Sequence, residues 1–479
     1  MKNSYFYPNS PLIFFFLFIL MMSLLNNCSE KKMEPDWIAA ENLIQNGELA
    51  KVIDWADSIQ LNSEKYDDNW MKADSLMQLS KRIKIDFSLS EQEIITQLKD
   101  RLGDSVIADK QEWEDNKKLE YRYIDGEKRY FKRSVSNLIR LLPKNSDSLI
   151  IDPLDQFCLS HSADVINETS AFGQLTQGKD FVLRYRINLA AEAVPAGEIV
   201  RCWMPWPKEI HERQTNINLI NVSENEYVIA TDSNLQRSIY MEKVARAGEE
   251  TVFEIKFSFR SFAQYFKPEE IVSKPYLKDD SLYIKYTAEQ APHILFSDRI
   301  KALTDSIVGQ ENNPLEIVRK IYYWIDENIP WASALEYGIM PCIPSYVLDY
   351  KKGDCGMQTL LFMTMARYKG IPVKWQSGWM LHPNEINLHD WCEVYYEGTG
   401  WVPLDMSFSL QMSDNLSLKD FYITGIDSYR MIVNDDIGAD FYPPKKFFRS
   451  EPWDFQRGEL EWSGGNLYFN LWDYNMKVE

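Results

Sequence analysis

The sequence predicts a multidomain α+β protein: a helical N-terminal region, a β-sandwich, a second region of mixed helix and strand, and a C-terminal β tail. The hydrophobic pattern predicts this class, since it has a helical period near the start, a period of two from about 178 to 265, and a helical period again beyond 290. The length of 479 residues agrees, because it accommodates roughly three domains of about 100–200 residues.

The composition is that of a folded, acidic protein. Aromatic residues make up 14% of the chain and include 15 Trp, which is enough ring area to build cores and argues against wholesale disorder. The counts of 20 Gly, 21 Pro and 6 Cys are too low for collagen, a low-complexity polymer or a disulfide scaffold. A net charge of −19 repels phosphates, so we expect no nucleic-acid partner.

The N-terminus predicts export. Residues 12–25 are almost continuously apolar, and a run of 14 fits a signal peptide better than a membrane span, which needs about 18 or more. The run is followed by Leu25-Asn26-Asn27-Cys28, which resembles the lipobox of bacterial lipoproteins. We therefore expect a signal peptide over 1–27 and lipid attachment at Cys28, with the protein held at the outer membrane, the periplasmic face or the cell surface. The alternatives are an uncleaved anchor, or ordinary secretion with Cys28 incidental.

Residues 28–144 are predicted to form a mostly helical domain with one hairpin. Ser90 and Glu93 form a capping-box pattern that begins a helix, and Gly103 provides its end. Asp125-Gly126 lies between two alternating runs, which is a hairpin signal. Residues 145–177 are rich in Ser, Asp and Asn, and we interpret them as a linker.

Residues 178–265 alternate between apolar and polar positions. The runs Phe181–Ile187, Ile199–Trp203 and Val252–Phe257 are separated by turn-rich segments, which is typical of a β-sandwich. Residues 436–479 are aromatic and rich in turns, and we expect this tail to add strands to an existing sheet.

Residues 266–435 contain the motifs that carry chemistry. After Gly353-Asp354-Cys355-Gly356, twelve helix-forming residues, apolar on most faces, run to Tyr368, and this predicts a buried helix that starts at Cys355. The unpaired N–H groups and the dipole at such a terminus favour a thiolate. The alternative is an inert core cysteine, the more common fate of a lone cysteine.

A hairpin follows this helix. His389 lies on its first strand and Asp405 at the end of its second. A three-residue loop at 397–399 places Asp405 opposite Trp391 and diagonal to His389, within side-chain reach. A thiol, an imidazole and a carboxylate are the three parts that nucleophilic catalysis needs.

These motifs resemble those of the transglutaminase-like superfamily. The resemblance rests on Gly353-Asp354-Cys355, Gly370-Ile371-Pro372-Val373, His389-Asp390-Trp391-Cys392-Glu393-Val394 and Gly400-Trp401-Val402-Pro403-Leu404-Asp405. It covers roughly 290–410, and the preceding β-rich segment is similar to the sandwich domains that often stand before such cores. The resemblance implies a papain-like transglutaminase core.

The resemblance also implies roles for residues. Cys355 is the nucleophile, His389 the general base and acid, and Asp405 the carboxylate that orients the imidazole. Trp331 is the position at which the family's aromatic oxyanion donor is expected, and its alternative role is that of a core tryptophan. Asp390 has no assigned role. We expect no metal and no cofactor, and the cysteine count does not reveal any disulfide pairing.

The expected function is thiol-dependent acyl chemistry at amide carbons of a protein or peptide substrate, through a thioester. The resemblance favours hydrolysis over cross-linking. The alternative is a non-catalytic surface-binding or scaffold lipoprotein with a vestigial transglutaminase-like core. Cleavage of glycan–asparagine amides is a third option that nothing in the sequence selects.

Overall fold

The computed structural model describes residues 35–142, 152–383 and 385–479. The predicted signal peptide, 1–27, and the predicted lipid-attachment residue, Cys28, lie outside this range. Across the described residues, no helix has the length and hydropathy needed to cross a membrane.

Residues 35–142 are mainly helical and contain the predicted hairpin. The capping box is formed, since the Ser90 hydroxyl accepts from the Glu93 N–H at 3.3 Å and the Glu93 carboxylate accepts from the Ser90 N–H at 2.7 Å. Asp125 and Gly126 both have positive φ, as the tight turn requires. The elements are α1 (Trp37–Gln45), α2 (Leu49–Asn62), α3 (Asp68–Asp86), α4 (Glu91–Leu102), a 3₁₀ turn (Asp104–Asp109), α5 (Lys110–Asp115), β1 (Tyr121–Ile124), β2 (Glu127–Tyr130) and α6 (Ser134–Leu141).

The segment predicted as a linker, 145–177, contains a helix in its described part. Helix α7 (Pro153–Glu168) begins at an Asp152 cap with proline in its first turn. Its Cys158 and Val165 are buried together with Tyr265 and Phe421. Most of the polar residues of this helix are exposed, although His161 and Ser162 are buried. The segment is therefore a docked helix, and the linker interpretation is wrong for these residues.

The sandwich strands follow. They are β3 (Leu175–Leu189), β4 (Ile199–Pro205), β5 (Gln214–Val222), β6 (Tyr227–Ile229), β7 (Ser238–Val244) and β8 (Thr251–Tyr265). In β8, Phe253, Ile255 and Phe257 are buried while the residues between them are partly exposed, which is the predicted period of two.

The next region combines helices with an antiparallel sheet. Helix α12 (Cys355–Tyr368) packs against the face of this sheet that carries Cys392 and Val394. The sheet has the strand order β11–β10–β9–β13. The elements are a 3₁₀ turn (Pro268–Glu270), α8 (Ser281–Thr287), α9 (Asp298–Val308), α10 (Pro314–Asn328), a 3₁₀ turn (Tyr337–Ile339), α11 (Ile343–Tyr350), α12 (Cys355–Tyr368), β9 (Val373–His382), β10 (Glu385–Tyr396), β11 (Gly400–Leu404), α13 (Leu416–Lys419), α14 (Phe421–Thr424), β12 (Gly425–Ile426) and β13 (Arg430–Asn434).

The C-terminal tail adds strands to existing sheets, as predicted, and the structure shows that these are the sheets of the sandwich. Its strands are β14 (Glu459–Trp462), β15 (Gly465–Leu467) and β16 (Trp472–Val478). Strand β14 pairs with β4. Every residue of β16 pairs with a residue of β3. The two sheets of the sandwich therefore have the orders β12–β8–β3–β16, with β5 beside β8, and β15–β14–β4–β7–β6.

The four-stranded sheet β11–β10–β9–β13, here called the core sheet, shares one hydrophobic cluster with the sandwich. Trp379 and Met431 of the core sheet are buried in the same cluster as Trp203 and Phe257 of the sandwich. This shared core fixes the sheet that carries His389 against the rest of the molecule.

Candidate active site

Cys355 is the first residue of helix α12. The Asp354 carboxylate caps this helix by accepting from the Met357 N–H at 3.2 Å, and it also accepts a hydrogen bond from the Tyr337 hydroxyl. The helix behind Cys355 is buried on nearly every side, as predicted. Cys355 itself is partly buried and faces a cleft.

Gln358, one turn into the same helix, joins three segments of the site. Its amide donates to the Ile329 carbonyl at 2.8 Å, just before Trp331 in the chain. Its side-chain oxygen accepts from the Ser407 hydroxyl at 2.9 Å, just after Asp405. The start of the helix is therefore held in fixed position relative to both flanking loops.

The hairpin of β10 and β11 has the predicted register. Tyr396 pairs with Gly400 and Cys392 with Leu404, so the loop has three residues and Asp405 continues opposite Trp391. The side chains of His389 and Asp405 meet at 2.7 Å between Nε2 and Oδ2, and both are buried.

Arg430 completes this buried pair. Its guanidinium donates to the same Oδ2 atom of Asp405 and also to Asp427. Burial alone raises the pKa of Asp405, but the interactions with His389 and with the charged Arg430 outweigh burial and hold that pKa below its ordinary value. Asp405 is therefore an ionised acceptor, which fixes the N–H of His389 at Nε2 and leaves Nδ1 as the basic nitrogen.

The thiol does not join this pair. Cys355 Sγ lies 3.4 Å from Asp390 Oδ2, and within the described ranges no hydrogen bond links Cys355 to His389. Consecutive residues of a strand face opposite sides of a sheet, so the Asp390 side chain points toward α12 and the His389 ring points away from it. The expected triad is thus seen as two separate contacts, Cys355 with Asp390 and His389 with Asp405.

The structure also corrects the prediction that Cys355 is a thiolate. Burial and then the charges of Asp390 and Asp354 raise the pKa of the Cys355 thiol well above its ordinary value, outweighing the helix terminus. Burial lowers the pKa of His389 more than Asp405 raises it. The resting site therefore holds a neutral thiol and a neutral imidazole. All five described cysteines, Cys158, Cys202, Cys342, Cys355 and Cys392, are free thiols.

Asp390 is held in place from its other side. Gln456 donates to Asp390 Oδ1 at 2.7 Å and to the His389 carbonyl at 2.8 Å. Burial and the nearby carboxylates of Asp454 and Asp354 raise the pKa of Asp390 well above its ordinary value. The surroundings therefore disfavour a negative charge both on Asp390 and on the sulfur beside it.

Trp331 lines the same cleft as Cys355. It follows α10 and forms a parallel bridge with Gly353, two residues before the cysteine. Its side chain is 38% exposed, so it is not the core tryptophan of the alternative interpretation, and the Arg140 guanidinium lies 4.7 Å from its ring centroid.

The cleft has a volume of about 210 Å³. Its walls come from the N-terminal region, from the helix-and-sheet core around Cys355, and from residues 450–457 of the C-terminal segment. Over the described ranges, no group of three or more His, Cys, Asp or Glu is arranged to hold a metal ion.

Several residues at the site have no assignment from sequence reasoning. Asp390 had a local signal, because it stands beside His389 where the family often has a small apolar residue. Arg430, Asp454 and Gln456 had no such signal, because they reach the site from segments remote in the chain.

With this geometry established, comparisons with known proteins identify relatives of part of the chain. Residues 301–406 match the profile of the Transglutaminase-like superfamily. In an alignment 181 residues long that covers 33% of this chain, the sequence is 27% identical to an uncharacterized protein of Haemophilus influenzae. The match spans 47% of that protein, so the chain covers about half the length of this relative.

Two solved structures are similar to larger parts of the chain. A candidate cysteine protease from Cytophaga hutchinsonii is 15% identical, with a TM-score of 0.44, over 64% of this chain and 91% of that one. The periplasmic domain of TgpA from Pseudomonas aeruginosa is 13% identical, with a TM-score of 0.26, over 49% of this chain and 93% of that one.

Proposed function

We propose that this chain, whose residues 301–406 form a transglutaminase-like core, is an enzyme of thiol-dependent acyl chemistry at amide carbons. One observation carries the proposal: two contacts made by adjacent residues of a single strand. His389 pairs with the buried carboxylate of Asp405, and the next residue, Asp390, accepts the hydrogen bond of the Cys355 thiol. The thiol therefore contacts the residue that follows the base in the strand, and the Cα atoms of His389 and Asp390 are about 3.8 Å apart.

The reaction requires a change of conformation, because the His389 ring lies on the face of the sheet that points away from α12. In the active conformation that we propose, Nδ1 of His389 accepts the proton of the Cys355 thiol as sulfur attacks the carbonyl carbon. Asp405, supported by Arg430, stabilises the imidazolium that forms. His389 then returns the proton to the departing amine, and a thioester remains on Cys355.

The negative charge that develops on the carbonyl oxygen needs donors. We assign this role to the backbone N–H of Cys355 and the indole N–H of Trp331, which line the same cleft. Removal of one such donor typically costs roughly 2.7–4 kcal/mol of transition-state stabilisation.

Water resolves the thioester in this proposal, so the reaction is a hydrolysis of a protein or peptide amide. The choice of water over a second amine rests on the resemblance to the transglutaminase-like superfamily in a bacterial lipoprotein. Transfer to a second amine gives cross-linking and is the alternative outcome of the same thioester.

The site of action is proposed from the N-terminal sequence. The apolar run of 12–25 and Cys28 support export followed by lipid attachment at a bacterial membrane. Exchange of Cys28→Ala is expected to move the protein from the membrane fraction to the soluble fraction; an unchanged distribution contradicts the anchor.

A second candidate function is favoured by one observation, the hydrogen bond of the thiol to Asp390 rather than to His389. In that case the core is vestigial, and the protein is a surface-binding or scaffold lipoprotein. A captured partner that remains bound to the Cys355→Ala variant, together with an absence of turnover in the natural protein, would support it.

The test compares the natural protein with Cys355→Ala on a peptide library and with an uncharged thiol-directed electrophile. Turnover and labelling of this position are expected to disappear in the variant. Cys342→Ala removes another partly exposed thiol and should retain both. Turnover that persists in Cys355→Ala rules out the assignment.

Asp405→Asn keeps the shape of the side chain but removes its charge, and it should lower kcat by roughly 10²–10⁴-fold.

A further inference from the structure

The cleft beside Cys355 carries more carboxylates than cations. The carboxylates that line it are Glu336, Asp354, Asp390, Glu451 and Asp454. The cations that line it are Lys132, Arg133 and Arg457. Acidic and basic groups of this kind often neutralise one another, so the pairing decides which charges remain for a ligand.

Pairing accounts for two of the three cations. Arg457 donates to both oxygens of Glu336, at 3.1 and 2.6 Å, and to Glu451 at 2.8 Å. Lys132 pairs with Asp86 at 2.8 Å, outside the lining of the cleft. The remaining cation, Arg133, is exposed at the rim.

Three carboxylates remain around the thiol without a cationic partner. Asp354 accepts from Tyr337 and from the helix terminus, and Asp390 accepts from Cys355 and Gln456. In the part of the chain that the structure describes, no hydrogen bond or ion pair reaches the side chain of Asp454, although it is only 9% exposed and lines the cleft.

An unpaired carboxylate is costly to bury, so Asp454 is a group that a ligand can satisfy. Burial and then the Glu451 charge raise its pKa well above the ordinary value, despite an opposing effect of Arg457. Asp454 is also the charged group with the largest effect on Asp390, which contacts the sulfur. A positive charge placed between Asp454 and Asp390 would therefore lie next to the nucleophile.

We propose that this cleft binds a primary ammonium group of the substrate, held by Asp454 together with Asp390 beside Cys355. The inference rests on the proposed function and defines its substrate class. The substrate is a peptide or acyl compound that carries an ammonium group close to the amide to be cleaved. This ammonium group is a recognition element and is not the amine that leaves.

The arrangement fits an ammonium group better than other cations. A compact ammonium has three donors that can reach separate carboxylates, whereas a guanidinium requires a planar pair of acceptors. The described residues offer no metal-binding group of three or more ligands here. The small volume also favours a compact cation.

The test uses three methanethiosulfonates on the full chain: the 2-aminoethyl reagent, the methyl reagent and the 2-sulfonatoethyl reagent. Each transfers its thioalkyl group to the thiolate, forms a mixed disulfide and releases methanesulfinate. The rate of modification at position 355 is measured by peptide mass spectrometry, with Cys355→Ala as background. The cationic reagent is expected to react about tenfold faster than the anionic one.

Asp454→Asn should reduce this preference several-fold, with the rate of each charged reagent divided by that of the uncharged methyl reagent so that any change in the reactivity of the thiol itself cancels. Glu226→Gln removes one charge from an exposed turn of the sandwich and should leave the preference intact. Equal rates for cation and anion, or a preference that Asp454→Asn does not change, overturn the ammonium site alone. If no reagent modifies Cys355, both this inference and the proposed function are wrong.

Discussion

The site contains carboxylates whose environments shift their pKa values in opposite directions. Asp405 accepts hydrogen bonds from His389 and from the charged Arg430, and these two contacts keep it ionised. Asp390 and Asp354 are surrounded by other carboxylates, so burial and repulsion favour their protonated forms. Pairs of titratable groups that are shifted apart in this way are typical of sites that transfer protons.

Asp354→Asn tests this contrast through stability. Burial raises the pKa of Asp354 from 3.8 to about 6, against the lowering effect of its hydrogen bond from Tyr337. Between about pH 4 and about pH 6, Asp354 keeps its proton in the folded state but has lost it in the unfolded state. The free energy of unfolding therefore decreases as the pH rises through this range. Asn is an equally good N-cap and has no charge to lose.

We therefore expect the free energy of unfolding of Asp354→Asn to exceed that of the natural protein above pH 6 and to lose this advantage below pH 4. Urea denaturation measured across that range checks it. Asp36→Asn makes the same exchange at the exposed N-cap of α1, and its profile should follow that of the natural protein. An advantage that is largest at acid pH contradicts the prediction.

At the scale of elements, the start of α12 and the strand β10 are in unusually close contact. A Cβ added to Gly356 would overlap the Tyr337 hydroxyl and lie 2.6 Å from Asp390 Oδ2. Glycine at this position is what allows the helix to approach the strand closely enough for the thiol to reach Asp390.

Gly356→Ala is expected to push the helix and the strand apart. Overpacking of this kind typically costs about 1–3 kcal/mol of stability. Chemical denaturation measures this loss, and the rate of labelling of Cys355 reports the change at the site. Gly338→Ala is the matched control, because its added Cβ would lie 3.4 Å from the Pro452 ring, an ordinary contact. Equal stability of the two variants would show that the close approach is not needed.

At the scale of the whole molecule, the N-terminal region holds the C-terminal segment that closes the cleft. Arg82 of α3 is buried, and its guanidinium donates to the carbonyls of Arg449 at 2.6 Å and Phe448 at 3.3 Å. Residues 450–457, which supply Asp454 and Gln456 to the cleft, follow directly. The distant helix therefore supports the wall that carries the proposed ammonium site.

Arg82→Met keeps the length of the side chain but leaves both carbonyls without their donor. We expect a loss of about 1–3 kcal/mol in the free energy of unfolding, together with a weaker charge preference in the labelling of Cys355. Lys81→Met alters the exposed neighbour and should change neither quantity. A variant with lower stability but an unchanged preference would show that the wall does not depend on this contact.

Sequence by itself determined several local elements of this protein and the register of its hairpin. The capping box at Ser90, the helix that starts at Cys355 and the three-residue loop before β11 depend on neighbours within a few positions, so a linear pattern encodes them. The resemblance to the transglutaminase-like superfamily was likewise local, and the profile match confirms it.

Only the tertiary structure decided which groups meet around the sulfur. Two adjacent residues of β10 face opposite ways, and the packing of α12 against one face brought the thiol to Asp390 while His389 met Asp405 on the other. Asp454 reached the same cleft from about a hundred residues further along the chain. Such contacts depend on how sheets and helices pack over long sequence separations, and no local pattern records that packing.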